Sequence, residues 1–540
     1  MRVELNGRRV GAWVVAVGAA RDPEFSVVSP ERLAPILDVA DLGVDQSVVP
    51  LAGWVASNWA GPLRNVLSSA TPQRKRARIA HPRRRAVVNA DGHGSTVLAR
   101  LLEGRGGLLR VPPLGSAMAV VVEASARGPV LVLCPTLRMA RLGAAWLRRK
   151  GLTTAELPDQ VDAAIAGVDV VIGARSAVFA PCDGLSSIVV IDEHEESYHE
   201  ERVPTWWAPE VAWERGRLLG VPVLMTSPVP SAAAAELCGP AVSMSEASGG
   251  WPHIEVVNLL DVPVKGSLLS ADLIGAVRAA DASVLCILNT KGVARMLACK
   301  SCRELQTCDT CRGALQSLGD SLSCPVCHAQ KPALCSSCGR TALVNVRAGT
   351  ARLADELSLA ASLPVVEVTA STEGVGAASA VYVGTDALLH RVRTASTVVF
   401  LDIDRDLSAP RMTAGREVLA AVARAARIVG KSGRIIIQTR QPEHRVLRAL
   451  VDGEVDGYLD TDTHLLRAMG LAPFVTVAVL TADGEIPDSA IPDALGVEWS
   501  RDDERVIARG ADRETVLRFV AEVRAASPVR VRAAVNPPRV

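Results

Sequence analysis

The stretch CKSCRELQTCDTCRGALQSLGDSLSCPVCHAQKPALCSSC, residues 299–338, decides how the rest of the chain is read. It holds four Cys-x-x-Cys pairs: Cys299/Cys302, Cys308/Cys311, Cys324/Cys327 and Cys335/Cys338. Eight of the 12 cysteines fall in these 40 residues. Paired thiolates grip one metal from a tight turn, and two such turns complete a tetrahedral four-cysteine zinc site. Eight ligands therefore predict two zinc ions. Spacing alone leaves open whether the pairs close in sequence or nested. An all-cysteine site leaves no position for water or substrate, so the predicted role is structural. Zinc then contributes roughly 10 kcal/mol or more to folding this segment, which is poor in apolar residues.

Three other chemistries use cysteine. A secreted disulfide framework is disfavoured because Cys134, Cys182, Cys238 and Cys286 are scattered singly. Iron–sulfur runs group their ligands differently. A redox dithiol needs one pair. Reduced zinc cysteines predict a cytoplasmic protein. No run of 18 apolar residues occurs, so no membrane span is expected. Arg8 and Arg9 before VGAWVVAVGAA imitate a secretory signal. Glu4 argues against one, and the segment also reads as a strand over Val10–Val17, beside a second at Arg2–Leu5.

Outward from the cysteines, the chain alternates between strand and helix. Expected strands are Val130–Cys134, Val168–Ile172, Ile188–Asp192 and Val221–Thr226, with helices over Leu137–Lys150 and Ala208–Leu219. After SMSEASGGWPH (243–253) the pattern resumes with strands at Ser283–Leu288, Val365–Thr369, Ala380–Gly384, Thr397–Asp402 and Arg434–Gln438. Helices are expected near Ala351–Ala361 and Arg416–Val429. Such alternation predicts parallel sheets covered by helices on both faces. LAGWVASNWAGPLRNVL (51–67) has helical spacing, with Trp54 and Trp59 as core residues.

The expected fold is multidomain α/β. Two parallel-sheet lobes of the nucleotide-motor kind carry the two-zinc, eight-cysteine insert in the second lobe. A small β-rich N-terminal module and an α+β C-terminal domain complete it. The expected limits are 1–70 for the N-terminal module, 71–104 for a basic linker, and 105–242 for the first lobe. The second lobe takes 243–294 and 343–444, the cysteine module 295–342, and the C-terminal domain 445–540.

Hydrophobic content is 49% but aromatic content only 3%, so the cores are built from Ala, Val and Leu. A net charge of +1 gives no global argument for nucleic acid. The run RKRARIAHPRRR (74–85) does, because Arg74, Lys75, Arg76, Arg78, Arg83, Arg84 and Arg85 stand without an acid. Such a run neutralises phosphates in a salt-sensitive way, and it reads equally as a solvated linker.

Three further stretches carry a resemblance. They are VDVVIGARSAVFAPCDGL (168–185), with Gly173, Arg175, Ser176 and Ala177; GTARLADEL after the cysteines; and GRIIIQTRQPEH (433–444), with Gln438, Thr439, Pro442, Glu443 and His444. Together with the cysteine spacing they resemble the PriA family of superfamily 2 helicases, most closely its degenerate actinobacterial form. The resemblance covers nearly the whole chain, in order. It implies RecA-like lobes, a remnant winged-helix region within 71–104 and a DNA-binding N-terminal module. It places Cys299, Cys302, Cys335 and Cys338 on one zinc and Cys308, Cys311, Cys324 and Cys327 on the other. Arg74, Lys75, Arg76, Arg83, Arg84, Arg85 and Arg175 are the candidate DNA contacts. The family opens with a further strand-rich segment that holds a DNA 3′ end through an Asp. Met1 here falls partway into that domain, so no 3′-end residue is carried over.

The resemblance also implies ATP and Mg²⁺, but the residues argue against both. The family's phosphate loop falls on LLRVPPLGSAMAVVV (108–122), where Ala117 replaces the Lys and Met118 the Ser/Thr. The phosphate-reaching charge and the magnesium hydroxyl are both missing. Pro112 and Pro113 remove two backbone donors. Asp192 and Glu193 remain as an acidic pair before His194, and TSPVPS (226–231) stands for the next motif. In the second lobe His390 and Arg391 replace a Lys-Gly pair, and Arg424 and Arg427 are the remaining arginine-finger candidates, reading equally as basic surface positions.

The expected function is replication restart: binding of stalled or abandoned forks, primosome assembly and loading of the replicative helicase, by a monomer without helicase activity. An active 3′→5′ helicase with a divergent phosphate site is the first alternative. A zinc-organised protein-interaction scaffold without DNA binding is the second.

Overall fold

The computed structural model describes residues 1–5, 8–17, 35–39, 43–72, 96–243, 250–262, 268–289, 297–310, 315–319, 321–324, 327–345, 350–369, 371–376, 378–493, 496–502 and 504–538. The basic run 74–85 and Cys311 lie outside them. The chain forms two compact units, one of residues 1–111, 116–244 and 466–540, the other of 112–115 and 245–465.

In the first unit, β1 (Arg2–Leu5), β2 (Arg8–Gly11) and β3 (Ile36–Asp38) make a small antiparallel sheet with β1 central. The strand expected over Val10–Val17 is shorter and ends at Gly11. The helix expected through 51–67 is two helices, Val48–Asn58 and Leu63–Ala70. Gly61-Pro62 breaks it, because Pro disfavours helix in the residue before it. A Cβ on Gly61 would sit 2.5 Å from Pro204, so glycine is also needed there for close approach. Trp59 is buried and Trp54 meets it edge-on at 5.5 Å. Both helices share a core with the large sheet that follows, through Val55, Trp59, Leu131, Tyr198 and Trp206.

That sheet comprises β4 (Gly106–Arg110), β5 (Val130–Leu133), β6 (Thr154–Glu156), β7 (Val170–Gly173), β8 (Ser187–Ile191), β9 (Val223–Ser227) and β10 (Val242–Ser243). The order is β10-β4-β9-β8-β5-β7-β6, parallel throughout. VLVL, VVIG and SIVVI are buried at every position, as strands covered on both faces require. Helix Leu137–Arg149 starts on Thr136, whose hydroxyl accepts the Met139 amide at 3.2 Å.

The second unit opens with β11 (His253–Asn258) and β12 (Val284–Ile287). Short strands follow in the cysteine segment: β13 (Leu297–Cys299), β14 (Gln316–Leu318), β15 (Ser321–Ser323), β16 (Gln330–Pro332) and β17 (Leu343–Asn345). They form an antiparallel β13-β17 pair and a β14-β15-β16 meander. The sheet is then completed by β18 (Val365–Glu367), β19 (Val381–Gly384), β20 (Thr397–Phe400) and β21 (Arg434–Thr439). Its order is β11-β21-β20-β12-β19-β18, again parallel. The cysteine segment is thus an insert between β12 and β18. Two parallel sheets, each wrapped by helices, are the α/β lobes that strand–helix alternation predicts.

The chain returns to the first unit with β22 (Thr476–Ala482), β23 (Val497–Asp502), β24 (Arg505–Gly510), helix Arg513–Ala526 and β25 (Val531–Val535). These strands form an antiparallel sheet in the order β23-β24-β22-β25. Arg513 pairs with Glu210 and lies over the Trp59 ring at 5.1 Å, while Arg524 donates to the Ala60 carbonyl at 2.6 Å. Among the described residues, no helix is long and apolar enough to cross a membrane.

Candidate metal centre and phosphate-loop region

Three of the four cysteine pairs fold into the same turn. In each, the first Cys accepts from the amide four residues on: Arg303 to Cys299 at 2.9 Å, His328 to Cys324 at 3.0 Å and Gly339 to Cys335 at 2.9 Å. Each first Cys also donates its own amide five residues on, to Glu304, Ala329 and Arg340, all at 2.9 Å. The residue after the second Cys turns left-handed: Arg303 at φ 67°, His328 at 58° and Gly339 at 69°. This closes a knuckle with both thiols on one side.

The knuckles converge in two groups. Cys299, Cys302, Cys335 and Cys338 have all four Sγ atoms within 4.8 Å of one another. The Cys299–Cys338 and Cys302–Cys335 sulfur separations are both 3.5 Å. Cys308, Cys324 and Cys327 make the second group, with Cys308 and Cys327 sulfurs 3.4 Å apart. Zinc–sulfur bonds of about 2.3 Å in a tetrahedron put sulfurs about 3.8 Å apart, so both donor sets fit such an ion. Hydrogen bonding from the Cys302 backbone, against partial desolvation, holds the Cys299 thiol down to about 6. Gln306, unmarked by any sequence motif, is buried, donates from Nε2 to Cys335 Sγ at 3.5 Å and accepts the Ser336 amide at 3.1 Å. It supports a thiolate from outside the ligand set.

The phosphate-loop region keeps its strand–loop–helix order: β4, then 111–116, then helix Ala117–Ser125. Four of its positions, 112–115, offer no free amide. Pro112 and Pro113 have no N–H; Leu114 donates to the Gly250 carbonyl at 3.2 Å and Gly115 to that of Pro112 at 2.8 Å. Ala117 and Met118 are half-buried against the core. Met118 lies against Gly143, where an added Cβ would approach its sulfur to 3.2 Å.

At the end of β8, Asp192 and Glu193 are buried, Asp192 in the left-handed region at φ 53°. Glu193 accepts both the amide and the hydroxyl of Ser231 at 2.7 Å. Ser231 in turn caps helix Ala232–Cys238 through the Ala234 amide at 3.0 Å. His194 Nδ1 meets the Ser227 hydroxyl at 2.7 Å. TSPVPS therefore still wires to the acidic pair. Arg175 is half-buried: its guanidinium donates to the carbonyls of Ser197 and His199, pairs with Glu200 at 3.2 Å and lies over Trp206.

No protein-family model matches the chain. The replication restart protein PriA of Thermotoga maritima is 26% identical over 454 residues, covering 76% of this chain and 61% of that protein. PriA of Haemophilus influenzae is 26% identical over 352 residues, covering 59% and 48%. The probable replication restart protein PriA of Mycobacterium leprae is 27% identical over 374 residues, covering 60% and 55%. The resemblance to the PriA replication restart proteins read from the sequence is borne out by these relatives. The chain spans about half to three-fifths of the length of these relatives. Among solved structures, S. cerevisiae Dbp5 bound to RNA and ADP BeF3 aligns with TM-score 0.36 at 12% identity, over 69% of this chain and 93% of that one.

The PriA-like ending of the second lobe organises a network that sequence reading missed. Gln438 and Thr439 are fully buried. The Gln438 amide donates to the carbonyls of Leu268 and Leu401 at 2.8 and 3.1 Å, and the Thr439 hydroxyl donates to Asp404. Arg440 reaches Asp402 at 2.9 Å and Asp404 at 3.3 Å. Burial, together with the neighbouring Asp402 charge, pushes Asp404 up to about 6. Asn289 donates to both oxygens of Asp406, at 3.0 and 3.1 Å, and burial raises Asp406 to about 6 as well. The alternating acids of LDIDRD (401–406) were the available signal. Arg391 donates to the carbonyls of Thr369 and Thr372. Arg424 and Arg427 are half-buried on helix Ala414–Val429, and both are engaged.

Proposed function

We propose that this chain is a replication restart factor. It binds stalled or abandoned forks through phosphate contacts and promotes primosome assembly and replicative helicase loading without ATP-driven unwinding. The single observation behind the last clause is the loop 112–115. Its nitrogens are two prolines and two engaged amides, next to Ala117 and Met118, so the loop itself offers no free amide to a phosphate. An arginine finger is worth roughly 10³–10⁵ in rate only when a phosphate is already held in place.

On this reading two zinc ions occupy the cysteine groups. Cys299, Cys302, Cys335 and Cys338 hold one; Cys308, Cys324 and Cys327, with Cys311, hold the other. Bound zinc supplies cross-linking of distant turns and no open coordination position. The basic residues Arg74, Lys75, Arg76, Arg83, Arg84 and Arg85 are proposed fork contacts, within the domain limits expected from the sequence.

Retention of Asp192 and Glu193 at the end of a buried strand favours the second reading, an active 3′→5′ helicase. One experiment separates the two: ATP hydrolysis by zinc-replete protein, with and without forked DNA, beside Asp192→Ala. The expected result is no turnover above the variant while the fork is bound. DNA-stimulated turnover that disappears in Asp192→Ala would make the chain a motor. A zinc-replete protein that retains no forked DNA at low salt would leave the third reading, a protein-interaction scaffold.

A further inference from the structure

The first unit contains a groove of 710 Å³ between the loop joining helices Val48–Asn58 and Leu63–Ala70, the segment around Arg202, and the C-terminal strands. Its charged lining is entirely arginine: Arg202, Arg524, Arg530 and Arg532. No Asp, Glu or aromatic residue among the described residues lines it. Four guanidinium groups around one groove repel one another unless an anion or water screens them.

The four are not equivalent. Arg524 is fixed in place, donating to the carbonyls of Ala60 at 2.6 Å and Val531 at 3.2 Å. Arg532 is shared with Asp483, outside the groove lining, at 2.8 Å. The exposed side chains of Arg202 and Arg530 make no hydrogen bond or ion pair among the described residues. Two anchored and two unengaged arginines offer donors to a ligand without first breaking an internal network.

The groove also has a neighbour. Asn65, Arg202 and Val203 also line a second groove of 770 Å³, but there Arg175 is paired with Glu200, and Glu200, Glu201 and Trp206 join the lining, so the all-arginine character belongs to the first groove alone. The bridge between them is held by Asn65 donating to the Val203 carbonyl at 2.8 Å.

We infer that the Arg202–Arg524–Arg530–Arg532 groove binds the phosphodiester backbone of a nucleic-acid strand without reading its sequence. Arginine to phosphate supplies affinity and position, and the absence of an aromatic platform means that bases are not stacked there. The inference rests on the fork-binding reading and locates a contact that the basic run 74–85 does not provide.

The test is forked-DNA affinity against salt for the full zinc-replete chain, for the Arg202→Ala/Arg530→Ala double variant, and for Arg518→Ala. Arg518 is exposed on the C-terminal helix, pairs with Glu514 and lines neither groove. The double variant is expected to lower the log–log salt slope by about 2, one per lost phosphate contact, with unchanged melting temperature. Arg518→Ala is expected to leave the slope unchanged. Inorganic phosphate at matched ionic strength is expected not to compete. An unchanged slope in the double variant overturns the groove and leaves fork binding standing. An equal loss in Arg518→Ala reduces the effect to long-range charge and overturns it too. Full competition by inorganic phosphate makes the groove a free-phosphate site. Wild-type protein that binds no forked DNA removes both the fork-binding reading and this one.

Discussion

The cysteine segment and the phosphate-loop region stand in opposite relations to the chemistry that their patterns suggest. In the cysteine segment every donor of the outer group is present, and one backbone turn is built three times to aim thiols inward. That turn is kept although two of its three left-handed positions are Arg303 and His328 rather than glycine. In the phosphate-loop region strand, loop and helix are present, while Pro112 and Pro113 lack an N–H and the amides of Leu114 and Gly115 are engaged. Met118 fills space beside Gly143, and Ser231 takes both oxygens of Glu193. On the proposed reading, a scaffold outlives a ligand site where the positions that would hold the ligand serve packing instead. A metal knuckle has no such second use, because its segment has little core of its own: among the described residues, Leu297, Leu305, Leu315 and Leu322 are its buried leucines.

The strongest test of this contrast removes a ligand. If the proposed two zinc ions are bound, Cys299→Ser should lower zinc content by one ion per chain and open the segment to protease. The cost approaches the roughly 10 kcal/mol that a structural zinc supplies. Unchanged zinc content with full protease resistance in the variant would mean that Cys299 is not a ligand the segment depends on. Chelation of the wild type should give the same cleavage pattern.

The reverse experiment restores donors where they are missing. Ala117→Lys with Met118→Thr should not recover ATP hydrolysis, since Pro112, Pro113 and the engaged amides of Leu114 and Gly115 remain. It should destabilise the first unit by about 2 kcal/mol, through lost Met118 packing. Recovered turnover would show that the loop reopens, and the contrast would collapse.

Ser231→Ala tests whether the acidic pair now serves structure. It removes a helix cap and one donor to a buried carboxylate, for an expected loss of about 2 kcal/mol in denaturant unfolding. A loss below about 0.5 kcal/mol, within the range of ordinary surface substitutions, would mean that Glu193 finds other partners at no cost. The smallest effect is expected from His328→Gly. Relief of the left-handed backbone should stabilise the zinc-loaded segment by up to about 1 kcal/mol, read from its local unfolding by hydrogen exchange. Destabilisation instead would assign the imidazole a contact more valuable than the strain.

Much of the architecture could be read along the chain. Runs such as VLVL and SIVVI are too apolar for a sheet with one wet face, and they became central parallel strands. Helix Ala208–Leu219 ends on Gly220 at φ 67°, as a glycine after an amphipathic run predicts. The helix through 51–67 was misjudged because apolar spacing continues across Gly61-Pro62, while the close approach of Pro204 that requires the break comes from residues far along the chain. The Asp402–Asp404–Arg440 network was invisible for the same reason: its members lie 36 and 38 residues apart and meet only because β20 and β21 are neighbours.

Periodicity carried the α/β class and spacing the paired thiols, while the missing Lys and hydroxyl at Ala117 and Met118 were what the family resemblance implied; each is a local property of residue type. Folding settled which knuckle joins which and what occupies the amides of 112–115. It also placed Arg202 beside arginines more than 300 positions away. These are long-range contacts, and no period or motif within a window of the chain encodes which distant surface its residues will meet.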